Sequence, residues 1–357
     1  MPRLLVFVSI FYSQGLSMRY CIWNNKGGVG KTFLTYCLAT EYAICHPEKT
    51  VVAVDMCPQA NISEMLLGGN GVGEIKLATC CENDRTIASY IKKRFEKSQF
   101  ERLGTETTFF VPVHQYNPKM PSNLFLLPGD VDLDICAALI DYMGSSPRRG
   151  SWMTSRRLLI DLLDVFESNN RNDTTVFIDS NPSFANYTQL GIIAADRLVV
   201  PCTADSASIR GIDNILRLVF GVKQPNATAV DEVFDTFFTK LQDVGVSPKI
   251  HAFVLNKTRT SNSSAAAAYR SHVDEIRRIT TQIAATHSVC FTATTMSERI
   301  YEMKDCNTIA PVMSYHGLPP SELHQKQYTV YDEKAQVNQT QIDPFVQALQ
   351  QLVAGLA

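Results

Sequence analysis

Residues 25–32, Asn-Lys-Gly-Gly-Val-Gly-Lys-Thr, have the make-up of a loop that holds phosphate. Gly27, Gly28 and Gly30 carry no Cβ, so backbone N–H groups from Gly27 through Val29 to Lys31 can converge on anionic oxygens. A helix starting there turns its positive end toward the same anion. Lys31 would bridge the terminal phosphates of a nucleoside triphosphate, the Thr32 hydroxyl would complete the shell of a Mg2+ ion, and Phe33 would lie beside them. The stretch meets the G-x-x-x-x-G-K-[ST] pattern only in part. Asn25 stands where the first glycine belongs, and a second lysine, Lys26, follows it. A glycine-rich turn with two surface lysines is the plain alternative; an apolar run at 20–23 before the loop and a helical pattern after it favour phosphate.

Other residues must reach that loop from elsewhere in the chain. Apolar segments at 20–23, 50–54, 123–127, 174–178, 197–200 and 252–255 alternate with helical patterns at 31–46, 131–142, 154–167, 207–220 and 263–286. This rhythm predicts an α/β fold, a mostly parallel sheet with helices on both faces. In such sheets ligands bind beyond the carboxyl ends of the strands, where residues 24–32, Asp55, Asp179, Pro201 and Asn256 fall. Asp179 suits a magnesium-holding carboxylate that works through a water and hydrogen-bonds Thr32; an aspartate capping the turn before Pro182 is the alternative. Residues 68–120, with glycines at 68, 69 and 71 and prolines at 112 and 118, break the rhythm and read as an insertion. The domain is expected over 18–320, with 1–17 as an extension outside the core and 321–357 as a C-terminal extension ending in a helix.

Lys-Gly-Gly-Val-Gly-Lys-Thr resembles the deviant Walker A motif of the ParA/MinD family of P-loop ATPases, and the likeness runs from about 18 to 313 outside 68–120. It implies ATP with Mg2+, and a nucleotide-dependent homodimer in which Lys26 reaches the nucleotide held by the other copy. Asp55-Met-Cys-Pro-Gln-Ala-Asn resembles the family's D-x-D-P-Q-x-N segment, which places Asp55 near the metal and Lys31 and makes Lys26, Lys31 and Asp55 the catalytic set. The second aspartate of that segment is Cys57 here. A thiol is a poor acceptor for an attacking water, so slow turnover is expected while ATP binding is unaffected. Asn256-Lys257-Thr258-Arg259 falls where the family contacts the base, and Arg259 in place of the guanine-reading aspartate favours adenine.

The chain has 357 residues, 45% of them hydrophobic and 19% charged, with a net charge of −2, so any DNA contact must come from a local patch. Arg270, Arg277 and Arg278, together on one predicted helix, are the candidates, as the resemblance to ParA implies for that region; a solvated charged face is the alternative. Ten scattered cysteines without C-x-x-C spacing read as reduced thiols. The segment 335–357 has no Lys or Arg, so an apolar face of Phe345, Val346, Leu349, Leu352 and Val353 is expected to dock on the domain, not on a membrane. Two functions compete on these residues. One is a cytoplasmic ATPase of DNA partition or positioning, stimulated by an unidentified partner protein; the other is an ATP-gated scaffold with little hydrolysis.

Overall fold

The computed structural model describes residues 17–97, 101–148, 150–170, 172–203, 205–222, 237–242, 244–245, 248–258, 264–293, 296–304 and 306–356. The strands are β1 (Met18–Ile22), β2 (Thr50–Met56), β3 (Val111–Pro112), β4 (Leu124–Leu127), β5 (Thr174–Ser180), β6 (Arg197–Cys202), β7 (Lys249–Thr258) and β8 (Ile300–Lys304); six arise from the apolar segments, whereas β3 and β8 were not expected from the sequence. Their order across one sheet is β3-β4-β2-β5-β1-β6-β7-β8. Each neighbouring pair is parallel except β3 with β4.

Among the described residues the helices include α1 (Lys31–Cys45), α2 (Asn61–Leu67), α3 (Val72–Glu82), α4 (Ile87–Glu96), α5 (Val113–Tyr116), α6 (Leu133–Ser145), α7 (Ser151–Arg156), α8 (Leu158–Asn169), α9 (Asn186–Ala194), α10 (Ser206–Phe220), α11 (Ser264–Thr286), α12 (Ile309–His316) and α13 (Gln339–Ala354). Both faces of the sheet are covered, which is why every residue of β2 and β5 is buried. Alternate residues of β2 serve opposite faces. Val52 and Val54 join a core with Trp23, Ile178, Leu159 and Leu190, while Val51 and Ala53 join one with Tyr20, Leu38, Phe177 and Phe345.

Segment 68–120, which the broken rhythm marks as an insertion, is woven into both cores. Ile87, Tyr90 and Phe109 enter one, Leu77, Val111 and Met120 the other, and β3 extends the sheet edge. The basic surface of α4 masks this in the sequence: its inner face, started by a Thr86 cap that accepts from the Ser89 amide at 3.1 Å, is apolar.

The C-terminal segment adds a hairpin, β9 (Lys326–Val330) with β10 (Glu333–Val337), and then α13, which opens with a capping box between Asn338 and Gln341. Phe345, Leu349, Leu352 and Val353 of α13 are buried against the domain. The chain then closes on the amino edge of the sheet. The Gly355 carbonyl accepts from His251 Nε2 at 3.0 Å, and the Leu356 carbonyl accepts from the Tyr20 hydroxyl and from Arg197.

Candidate nucleotide-binding site

Because β1 lies between β5 and β6, the chain leaving it enters a loop framed by the ends of both. Asn24 pins the loop: fully buried, it donates through Nδ2 to the Pro201 carbonyl at 2.8 Å and accepts the Lys26 amide at 3.0 Å. Gly30 is needed twice over. Its φ is +83°, and a Cβ there would sit 3.0 Å from Asn256 Nδ2. That same Nδ2 donates to the Val29 carbonyl at 2.6 Å, so Asn256 at the end of β7 braces the loop. The sequence marks Asn24 and Asn256 as polar residues directly after apolar strands, but not that Asn24 pins the loop to Pro201 or that Asn256 braces Val29.

Lys31 opens α1 with its side chain buried, and Nζ donates to the carbonyls of Asn24 at 2.9 Å and Lys26 at 2.8 Å. Burial pulls this ammonium down to about 8, with Asp179 resisting. The loop therefore presents a cation that is poorly solvated and gains most when an anion arrives.

Asp55 and Asp179 are register partners at the ends of β2 and β5, and both are buried. Their surroundings differ. Asp55 is fully engaged: Oδ1 accepts the Cys57 amide at 3.1 Å, and Oδ2 accepts the Ser63 amide at 3.1 Å and hydroxyl at 2.7 Å. Asp179 receives the hydroxyls of Thr32 and, at 3.3 Å, Thr35, while its Oδ2 is buried without any hydrogen-bond partner. Burial first, and then the neighbouring Asp55, pushes the Asp179 carboxyl above the usual carboxylate range. A buried carboxylate oxygen with no donor, next to the loop threonine, fits a magnesium ion.

Cys57 stands almost buried in the same cleft, where Asn181 Nδ2 donates to its Sγ at 3.6 Å. Burial, helped by Asp55, pushes the thiol up to about 11, so it is neutral and accepts hydrogen bonds weakly. The cleft holds about 760 Å3 and runs from Gly28, Lys31 and Thr32 past Cys57 to Glu64 and Tyr331. A neighbouring cavity of about 220 Å3 is walled by Phe33, Leu34, Met303, Ala310 and Pro311, with Asn256 at its edge, and has the size and apolar character for a heterocyclic base. Phe33 lines both spaces and stacks on Phe345 of α13, ring centres 6.2 Å apart.

The remaining sequence candidates lie apart from this cluster. Lys26 turns to the β6–α10 turn, where Nζ meets Thr203 Oγ1 at 2.7 Å and Asp205 Oδ2 at 2.5 Å. Arg270, Arg277 and Arg278 are exposed on α11, with Arg277 paired to Glu302 at 2.5 Å and Arg278 to Glu275 at 2.8 Å. The basic run at 92–94 is spent internally: Lys92 pairs with Asp132, Lys93 with Asp84, and Arg94 is buried.

Comparison with known proteins agrees with this geometry. An AAA-domain family model, AAA_31, matches residues 18–231. The chromosome partitioning protein ParA of Caulobacter vibrioides is 28% identical over 202 residues, covering 57% of this chain and 62% of that protein. An uncharacterised protein of Methanocaldococcus jannaschii is 22% identical over 219 residues, covering 61% and 71%. In fold, the chain is similar to Cyanothece McdA in its ATP complex, with a TM-score of 0.57 at 16% identity over 95% of this chain and 97% of that one. It is also similar to a Borrelia burgdorferi protein described as a plasmid partition protein, bound to AMPPNP, with a TM-score of 0.54 at 14% identity over 95% and 99%. A family match over more than half of the chain, opening on a phosphate loop with two lysines, leaves one assignment: the chain belongs to the AAA_31 family, in the ParA/MinD group of P-loop proteins.

Proposed function

We propose that this protein binds ATP with Mg2+, forms a nucleotide-dependent homodimer, hydrolyses ATP, and acts in partition or positioning of plasmid or chromosomal DNA. The observation that carries the reading is the orphaned Asp179 Oδ2, buried beside Thr32 and the loop that ends in Lys31. Gly27 to Lys31 supply amides for the phosphates, Lys31 exchanges its carbonyl partners for phosphate oxygens, and Phe33 with Asn256 borders the adenine. Thr32 and Asp179 would hold the metal, Asp179 through a water. Magnesium, when bound, neutralises charge that builds on the phosphoryl oxygens. Asp55, saturated by Ser63 and Cys57, supports catalysis by fixing the segment that carries Cys57.

Cys57 favours a second reading, an ATP-gated scaffold or regulator with little turnover that works with a partner protein, because a neutral thiol orients water poorly. Magnesium-dependent ATP binding, dimerisation by light scattering and phosphate release separate the two for wild type, Lys31→Ala, Lys26→Ala and Cys57→Asp. Brisk wild-type release removes the scaffold; absence of ATP binding removes both. Nonspecific DNA contact is assigned to Arg270, Arg277 and Arg278; the carboxylates that compete for Arg277 and Arg278 make it a weak, salt-sensitive patch. Unchanged DNA retention in Arg270→Ala/Arg277→Ala at modest salt would remove that patch. Among the described residues no helix is long and apolar enough to cross a membrane, and we place the protein in the cytoplasm, where ATP and DNA meet.

A further inference from the structure

Lys26 is the one loop lysine whose task lies outside its own phosphate site, and the turn between β6 and α10 is built to receive it. Thr203 and Asp205 take its ammonium at 2.7 and 2.5 Å. The Thr203 hydroxyl donates to the same Asp205 Oδ2 at 2.7 Å, and the Thr203 amide donates to the buried Ser208 hydroxyl at 3.0 Å. Asp205 divides its oxygens between two tasks. Oδ1 caps α10 by accepting the Ser208 amide at 2.9 Å, which leaves Oδ2 for Lys26 and Thr203. Against the effect of its partial burial, the hydrogen bonds from Lys26, Thr203 and Ser208 hold the carboxyl down at about 2.

We propose that Asp205, seated by Thr203, is a positioning residue that holds Lys26 in cis, competing for its ammonium with the phosphates of a nucleotide in a second copy. The inference rests on the trans role of Lys26 given above and adds what sets its threshold. Both competitors are anionic oxygens, so Lys26 can serve one or the other. The pair suits reversible use because its side chains keep 25% and 44% of their exposure, and exposed ion pairs are individually weak. Release does not dismantle α10, whose cap uses the other oxygen.

Asp205→Asn keeps an amide oxygen for the cap and removes the charge. The half-maximal ATP concentration for dimerisation, read by light scattering with magnesium, is expected to fall about tenfold in this variant. Thr203→Val, which leaves Asp205 in place, is expected to shift it the same way by less. In nucleotide-free protein, Lys26 is expected to be acetylated by acetic anhydride faster in Asp205→Asn than in wild type, read by peptide mass spectrometry against Lys97 as internal standard. Equal acetylation rates overturn the latch whether or not the protein dimerises. Faster acetylation with superimposable dimerisation curves also overturns it, since the pair then gates nothing. ATP-driven dimerisation of wild type that survives Lys26→Ala, or no dimerisation in any variant, sinks the trans role and the latch with it; a wild-type dimer that needs Lys26 but ignores Asp205→Asn sinks the latch alone.

Discussion

Two neighbouring strand ends of one sheet carry the same residue at the same register and the same burial, yet they are different chemical objects. Asp55, ending β2, has both oxygens filled by N–H and O–H groups of its own following segment. Asp179, ending β5, has one buried oxygen without a hydrogen-bond partner. The first is a structural clamp that shapes the 55–63 turn, and the second is a socket. Sequence position and burial do not separate a clamp from a socket. Counting donors does.

Asparagine substitutions test this contrast because they act oppositely at the two sites. At position 179 the new amide can occupy the donorless side, so folding is expected to be kept while magnesium-dependent ATP affinity falls more than about 100-fold, measured by calorimetry with and without metal. At position 55 either orientation of the amide aims N–H at an N–H, from Cys57 or Ser63. Asp55→Asn is therefore expected to lose about 3 kcal/mol in urea unfolding, and equal stability would dissolve the distinction.

A third buried polar group, at the opposite end of the sheet, extends the comparison to protonation. His251 is filled by Thr292 and the Gly355 carbonyl, and burial, with Arg197 and Arg299 close by, lowers it to about 4. Its unfolded value, 6.5, is higher. Between those values the unfolded chain binds the extra proton, so stability is complete above pH 6.5 and drains as pH falls toward 4, by on the order of 2–3 kcal/mol. His251→Asn should flatten that part of the stability profile. The smallest expected change is at Cys57: restoring a carboxylate by Cys57→Asp should raise ATP turnover about tenfold, or about 1.4 kcal/mol in barrier. A lower rate would show that the thiol is an adapted part of the site.

Much of this site could be read from local residue patterns. The loop needs glycines and lysines in a fixed order, and a strand that stops at an aspartate is visible because apolar runs end abruptly. Thus Lys31, Thr32 and Asp179 converge as the motif requires. What stayed hidden depends on partners distant in sequence. Asn24 needs Pro201, the loop needs Asn256 as a brace, and Lys26 needs Asp205. The packing of segment 68–120 into the cores was not legible, because its charged outer faces and prolines dominate the pattern, whereas its anchoring residues, such as Tyr90 against Phe109, form a cluster only after folding.

Phe33 carries one consequence beyond the loop itself. It follows Thr32 directly, borders the apolar cavity, and rests on Phe345. The wall of that cavity is therefore propped from behind by a helix near the carboxyl end, far outside the 18–231 stretch that the family model matches. A cut or an insertion near residue 345 is expected to deform that cavity, although the helix takes no part in the 25–32 loop. Transplanting the 18–231 segment alone would carry the loop and leave its buttress behind.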